Sequence, residues 1–421
     1  MTPRDPSQLV DHLFRHQAGR TVARLMRLLG PAHMGLAEDA VQEALMRALQ
    51  SWPYDGVPDN AAGWLFRVAH NFAIDAVRRE KVFGDKTGAV VHALTQSADA
   101  APVDLDVEAH LRDDELRMIF LCCHPSIPED ARVALSLKTI GGFSVREIAR
   151  AFLIEEPAIA QRLVRAKRQM RDEHVTFDLP GPRELANRLD VVLDVLYLMF
   201  NEGYAAHEGH ALTRQDLCLE ALRLGRLVAS ASIATPRTHA LVALMALLAA
   251  RLPARVNDAG DLVLLEEQDR SCWDAQLIAM GFDHFERSMS GDEETAFHVQ
   301  AAIAATHARA TRMGDVEWPM ILELYDRLIA IDPSPVVALN RAVAVAKVRG
   351  PEQALMAIDR LMDNRQLREY HLLLAARGEF LLELGRHADA AGAFRDALGC
   401  ACSEPERRFL EGRLRNAEAA G

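Results

Sequence analysis

The stretch Gly142-Phe-Ser-Val-Arg-Glu-Ile-Ala-Arg-Ala-Phe-Leu-Ile-Glu-Glu-Pro-Ala-Ile-Ala-Gln-Arg-Leu-Val-Arg-Ala-Lys-Arg168 decides how this chain is read. Ser144 and Glu147 stand at capping-box spacing, which predicts a short helix from Ser144 to about Phe152. Leu153-Ile154-Glu155 is then a turn. Pro157 comes next, where a second helix begins, a position at which its missing N–H costs nothing. In that second helix Ile159, Leu163, Ala166 and Met170 recur at three- and four-residue spacing and form one buried stripe. Gln161, Arg165 and Arg168 fall on the opposite face. Residues 157–171 hold Arg162, Arg165, Lys167, Arg168 and Arg171 with no acid, a local charge of +5. An apolar back and a basic front describe a helix-turn-helix recognition helix, whose Gln and Arg side chains can pair with adenine and guanine edges in the major groove. Residues near its N-terminus usually reach the bases, which favours Ala158, Gln161 and Arg162; Arg168 and Arg171 would sit on phosphates. The competing reading is a surface helix whose cations suit its C-terminal end.

Outward from this segment the chain stays helical. Residues 7–83 carry three helical patterns, broken at Gly30-Pro31 and at Pro53–Pro58. The helix from Glu38 to Trp52 turns Ala40, Val41, Ala44, Leu45, Ala48 and Leu49 inward. Glu38, Asp39, Gln42 and Glu43 form an acidic outer end, which the helix dipole alone would favour. The next helix, Asn60 to about Lys81, has Leu65, Val68, Ala69, Phe72 and Ala76 on one face. Arg67, Asn71 and Arg78 line the other, with Arg79 and Lys81 at the end and Trp64 at the edge. A basic stripe beside an aromatic ring can hold phosphates and stack an unpaired base. Residues 84–110 are weakly periodic and acidic and read as a tether. Residues 111–176 return to helical periodicity. Beyond Leu179-Pro-Gly-Pro182 lies a long helical half.

Composition narrows the function classes. The chain has 421 residues and a net charge of −12, which taken whole speaks against a nucleic-acid binder. The charge is uneven. Residues 1–180 hold 22 Lys/Arg and 25 Asp/Glu, net −3, and residues 181–421 hold 26 and 35, net −9. The acidity therefore lies mostly beyond the Pro-Gly-Pro break. The longest apolar run, Ala240–Ala250, is too short for a bilayer, which needs about 20 residues. The N-terminal residues carry no secretory signal pattern, and six Cys in so long a chain form no disulfide framework. A reduced cytoplasmic protein of all-α class is expected.

The combination resembles a known family. Glu38-Asp-Ala-Val-Gln-Glu-Ala-Leu45, Trp52, Trp64-Leu-Phe-Arg-Val-Ala-His-Asn71 and Asp75-Ala-Val-Arg-Arg79 resemble region 2 of bacterial RNA polymerase sigma factors. Pro128-Glu-Asp-Ala-Arg-Val-Ala-Leu135 and the helix-turn-helix resemble region 4. Without a region 3 between them, the first 170 or so residues resemble the extracytoplasmic-function (ECF) group. The resemblance implies that Asp39, Gln42 and Glu43 dock on core RNA polymerase. It implies that Trp64, Arg67, Asn71, Arg78 and Arg79 engage the melted −10 element of promoter DNA. Gln161, Arg162, Arg165 and Arg168 would read the −35 duplex, and the acidic tether 84–110 would thread through the polymerase.

Such factors usually end near residue 175, so the second half is a departure. Residues 183–287 read as a helical extension. Within residues 290–421, Ile321–Leu328, Ala354–Leu361 and Ala390–Ala397 superpose with spacings of 33 and 36 residues. Leu384-Gly385-Arg-His-Ala-Asp-Ala390 fits a tetratricopeptide turn. About three degenerate repeats are expected, a solenoid of the kind that presents a concave binding surface to a protein partner or to another part of the same chain. Leu189–Phe200, Asn201-Glu-Gly-Tyr204, Asp216–Arg223 and Leu262–Ser271 resemble the extension of a sigma subgroup with a tetratricopeptide-like C-terminus, which implies modulation of sigma activity. A helix-turn-helix regulator with a repeat-based sensor, acting without polymerase, is the alternative. A hydrolase built on His207 and His210 is weaker still. His207-Glu-Gly-His210 lacks the spacing of zinc peptidases, and Cys122-Cys-His124, Cys400 and Cys402 read as packing residues. No catalytic constellation, cofactor or metal site is expected.

Overall fold

The structure, a computed structural model, describes residues 6–81, 107–151, 154–173, 175–178, 182–204, 215–257, 259–368, 370–400 and 402–420. The tether over 84–106 and the His207–His210 motif lie outside these residues. The described chain is helical, and its only extended pairing is an isolated antiparallel bridge between Val256 and Leu262. It divides into two compact units, Met1–Leu198 and Met199–Gly421.

The first unit holds α1 (Pro6–Leu29), α2 (Met34–Asp55), α3 (Ala61–Lys81), α4 (Val107–Cys122), α5 (Glu129–Thr139), α6 (Val145–Ala151), α7 (Glu156–Asp172) and most of α8 (Pro182–Tyr204). In α2 the residues facing inward are largely alanines. Ala37, Ala40, Ala44 and Ala48 are buried, so α1 and α3 approach its backbone closely. Pro53 does not break α2, contrary to the turn expected there. It sits in the last turn, and Gly56 at φ 83° ends the helix. Helix α4 already covers residues 107–110, which the sequence assigns to the tether.

Two features lock α1 to later parts of this unit, and neither is visible in the sequence pattern. Gly19 lies against the carbonyl of Ile140, where a Cβ would come within 2.1 Å of the oxygen. Arg20 faces Glu115 at 3.4 Å and Arg27 faces Asp114 at 3.6 Å, both carboxylates being buried. Charge removed from water this fully is tolerated only with a partner.

The second unit holds α9 (Gln215–Ser230), α10 (Pro236–Ala249), α11 (Ala275–Ser288), α12 (Ala296–Arg309), α13 (Trp318–Ile331), α14 (Pro335–Arg349), α15 (Pro351–Asp359), α16 (His371–Glu383), α17 (His387–Leu398) and α18 (Glu404–Ala420). The uncharged run Ala240–Ala250 becomes α10, apolar on all sides and buried against α9, α11 and α12. That is the ordinary fate of a helix hydrophobic all round but too short for a membrane. Its start is a capping box: Thr235 and Thr238 each accept the other's backbone N–H through the side-chain oxygen.

From α12 onward each helix packs on the next. The aligned positions Ile321, Ala354 and Ala390 are all fully buried, as are Ile358 and Phe394. Tyr325, which aligns with Ile358 and Phe394, is only partly buried. Gly385 takes φ 72° in the turn between α16 and α17, a conformation that suits glycine. Gly378 on α16 is required by contact: a Cβ there would lie 2.6 Å from the Phe394 ring.

Candidate nucleic-acid interface

The helix-turn-helix forms as its residues dictate. The Ser144 hydroxyl accepts the Glu147 amide at 3.1 Å, and the Glu147 carboxylate accepts the Ser144 amide at 2.8 Å, closing the capping box. Helix α7 then opens with Pro157 in its first turn and buries Ile159, Leu163, Ala166 and Met170, the whole expected stripe. The opposite face presents Gln161, Val164, Arg165 and Arg168 to solvent.

The cations of α7 are not equivalent. Arg165 meets no carboxylate among the described residues; its Nε donates weakly to the Gln161 carbonyl at 3.4 Å. Arg168 lies 3.3 Å from Asp172 one turn on. Arg162 is drawn sideways onto Asp130 of α5 at 3.2 Å. Lys167 reaches back to Glu38 of α2 at 2.5 Å, with the two side chains 26% and 11% exposed. The acid-free run 157–171 therefore has acidic partners, from a neighbouring turn and from residues far away in sequence.

On α3 the exposed face holds Arg67, Asn71, Arg78 and Arg79, as expected, together with Asp75. The buried face is rotated from the expected one. Leu65, Ala69, Ala73, Ile74 and Val77 are buried, whereas Val68, Phe72 and Ala76 are half-buried. The helix packs on α1 as well as α2, so its apolar arc is wider than a stripe drawn for a single neighbour. Trp64 is half-buried with its ring edge-on to Trp52, centroids 5.4 Å apart. Asn60 starts the helix by accepting the Gly63 amide at 2.8 Å.

On α2 Asp39 and Gln42 are exposed, and Glu43 pairs with Arg47 at 2.8 Å. Glu38 does not belong to this outer acidic end, because it turns towards Lys167 and Thr139. Leu49 is not in the core, contrary to expectation. It is 46% exposed and lies beside Met46, which is 54% exposed. Asp39, Gln42, Met46 and Leu49 succeed one another at three and four residues and make a continuous stripe. An inward position for Leu49 rests only on its being apolar. The signal that could have found it is its ten-residue spacing from Asp39, nearly three helical turns.

Among the described residues, the Cys122-Cys-His124 motif is engaged in packing and hydrogen bonding. Cys122 and Cys123 are buried at the end of α4, and burial raises both thiol pKa values, Cys123 to about 12. His124 shares Nδ1 with the Ser126 hydroxyl at 2.7 Å. Among the described residues no three His, Cys, Asp or Glu side chains are grouped to hold a metal ion. No helix of these residues is long and apolar enough to cross a membrane.

Comparison with known proteins agrees with this geometry. Residues 13–82 match the model of sigma-70 region 2, and residues 117–170 match that of sigma-70 region 4. Residues 188–289 match a family of unknown function, DUF6596. The chain is 40% identical to an uncharacterized protein of Rhizobium meliloti (strain 1021), over 91% of this chain and 90% of that one. It is 30% identical to the ECF RNA polymerase sigma factor SigE of Mycolicibacterium smegmatis, over 38% of this chain and 60% of SigE. It is 26% identical to the ECF RNA polymerase sigma factor SigM of Bacillus subtilis, over 38% of this chain and 93% of SigM. No solved structure matches. With both sigma regions in order and a helix-turn-helix whose basic face is open, the chain belongs to the extracytoplasmic-function RNA polymerase sigma factors.

Proposed function

We propose that this chain directs core RNA polymerase to a small set of promoters, and that its helical extension modulates that activity. The observation that carries the reading is the face of α7. It exposes Gln161, Arg165 and Arg168 opposite a fully buried stripe. In this reading those side chains, joined by Arg162 once it leaves Asp130, contact the −35 duplex. Arg67, Asn71, Arg78 and Arg79 on α3 hold the melted −10 strand. Trp64 turns from Trp52 to stack an unpaired base. Asp39, Gln42 and Glu43 dock on core polymerase, and the exposed Met46 and Leu49 extend that surface by apolar contact.

The modest acidity of the first unit fits this division of labour, because polymerase supplies most of the binding surface and sigma supplies base readout. The two promoter elements, named −10 and −35, are centred about 25 base pairs apart, roughly 85 Å at 3.4 Å per pair. Helix α7 has 17 residues, about 25 Å at 1.5 Å each. A unit in which Lys167 of α7 bonds Glu38 of α2 must open before both elements are engaged.

Run-off transcription with purified core enzyme tests the proposal. A promoter-specific transcript is expected. Its absence from every enriched sequence, with or without residues 180–421, overturns the reading. Truncation after Phe177 is expected to change the amount of transcript and leave promoter choice intact.

A further inference from the structure

Several half-buried arginines in the second unit face an acid. Arg223, Arg341, Arg377 and Arg413, whose side chains are 26–32% exposed, pair with Glu220, Asp326, Asp359 and Glu379 respectively. Arg251, Arg255 and Arg270 do not. None of the three is in an ion pair with a carboxylate among the described residues, although all are partly buried.

The three lie together. The Arg251 guanidinium carbon is 5.4 Å from the centre of the Trp273 ring, and that of Arg270 is 4.6 Å from the same ring. Arg255 stacks on Tyr204 at 4.0 Å. Arg270 also donates to the carbonyls of His307 and Ala310 at 2.6 and 2.8 Å, closing the end of α12. Arg255 donates to the Tyr204 carbonyl at the end of α8. Arg251 is less committed. Its Nε donates to the Gln268 side chain at 3.3 Å, and no described residue accepts from its two terminal nitrogens. The nearby acids are occupied: Asp269 accepts from Ser271, and Asp315 pairs with Arg312.

Two further polar atoms at this place are orphaned. Trp273 is 6% exposed, and its indole Nε1 is buried without a hydrogen-bond partner; Nδ1 of the buried His307 is likewise unpartnered. Burial, then the positive charges of Arg251 and Arg270, push His307 down to about 4, so it is neutral near pH 7. Like charges gathered in a partly dry site raise the free energy of the empty protein. The orphaned indole N–H adds to that cost. An oxyanion would relieve both, since Arg forks and an indole N–H are the donors that phosphate and carboxylate oxygens accept.

We propose that Arg251, Arg255, Arg270 and Trp273, with His307 beside them, form a binding site for a small molecule bearing a phosphate or carboxylate group. The site lies in the extension and contains no residue assigned above to polymerase or promoter. Anion binding there is a route by which the extension senses a metabolite, independently of how the sigma regions work.

The test uses the full-length protein without polymerase or DNA, so its outcome does not depend on the sigma reading. Thermal unfolding and titration calorimetry are run with inorganic phosphate and with citrate, against sodium chloride at matched ionic strength. A ligand that binds only the folded state raises the midpoint with concentration. The expected result is a saturable rise with at least one of the two anions that chloride does not reproduce. Which anion acts separates the phosphate source from the carboxylate source. Arg251→Gln should weaken that binding at least tenfold, and Arg251→Lys less. Arg377→Gln, which breaks an ion pair elsewhere in the unit, should leave it unchanged. Nitrogen-15 spectra of the Trp273 indole report the site directly, with a shift on binding in the parent and none in Arg251→Gln. No stabilisation beyond chloride, or binding equal in the parent and Arg251→Gln, overturns the proposal.

Discussion

Replacing Arg165 by alanine separates a recognition helix from a merely charged one. Arg165 is exposed, has no carboxylate partner among the described residues and gives only a 3.4 Å bond from Nε to its own helix. Little is lost from the free protein when the side chain is removed, so the effect should appear almost wholly in the complex. A bidentate contact to a guanine is worth about 1–3 kcal/mol of discrimination, roughly five- to 150-fold in affinity. Arg168 first has to leave Asp172, and Arg162 has to leave Asp130. Exposed ion pairs of this kind hold about 0–1 kcal/mol, which offsets part of any new contact. The expected order of loss is therefore Arg165→Ala, then Arg168→Ala, then Arg162→Ala. Asp130→Asn acts in the opposite direction, because it frees Arg162 and should tighten promoter binding. The assay is run-off transcription on a promoter and on single base-pair variants of its −35 element. Arg165→Ala should flatten the preference at one position and weaken the others evenly. Unchanged discrimination at every −35 position would refute the choice of face.

The same contacts set other outcomes. Met46→Glu or Leu49→Glu places a charge on the exposed stripe of α2; folding should be unaffected, while pull-down of core polymerase falls. Glu38→Gln weakens the bond from Lys167, so scattering from the isolated protein should report a more extended first unit, and an unchanged radius of gyration would argue against a closed state. Gly378→Val drives a side chain into the Phe394 ring and should cost about 1–3 kcal/mol by overpacking, read as a lower melting midpoint. Acidification should weaken the extension. Burial, then the neighbouring His239, holds His284 at about 4 while Asp283 opposes and Arg287 and Arg226 reinforce the shift; His307 is also near 4. Both titrate lower in the folded chain than the usual 6.5, so the unfolded chain binds more protons between about pH 6.5 and 4 and stability falls as pH drops through that window. A His284→Asn variant should show a shallower fall in denaturation midpoint from pH 7 to 4.5.

The local elements were legible because their causes are local. Ser144 and Glu147 close a capping box three residues apart, and Ile159, Leu163, Ala166 and Met170 share a face by helical period alone. At spacings of 33 and 36 residues Ile321, Ala354 and Ala390 are all buried, whereas Tyr325 is less buried than the aligned Ile358 and Phe394. Where a helix has more than one neighbour, the pattern was less informative. The buried arc of α3 is shared between α1 and α2, and it includes Ala73 and Val77, which a single-stripe reading leaves out. Residue type alone does not say which apolar side chains stay exposed, as Leu49 does.

By itself, the sequence determined the all-α class, the helix-turn-helix with its open basic face, and the separation of a near-neutral first half from an acidic extension. These depend on composition and on spacings within a turn or two. Only the tertiary structure decided which charges are free. Asp130 and Glu38 lie 32 and 129 residues from the cations they hold, Arg162 and Lys167, and no periodicity links them. It also decided that Arg251, Arg255 and Arg270 gather around Trp273 and Tyr204 without a carboxylate. The energy of a charge depends on what lies within a few ångströms of it, and in a folded chain that is set by packing between distant segments.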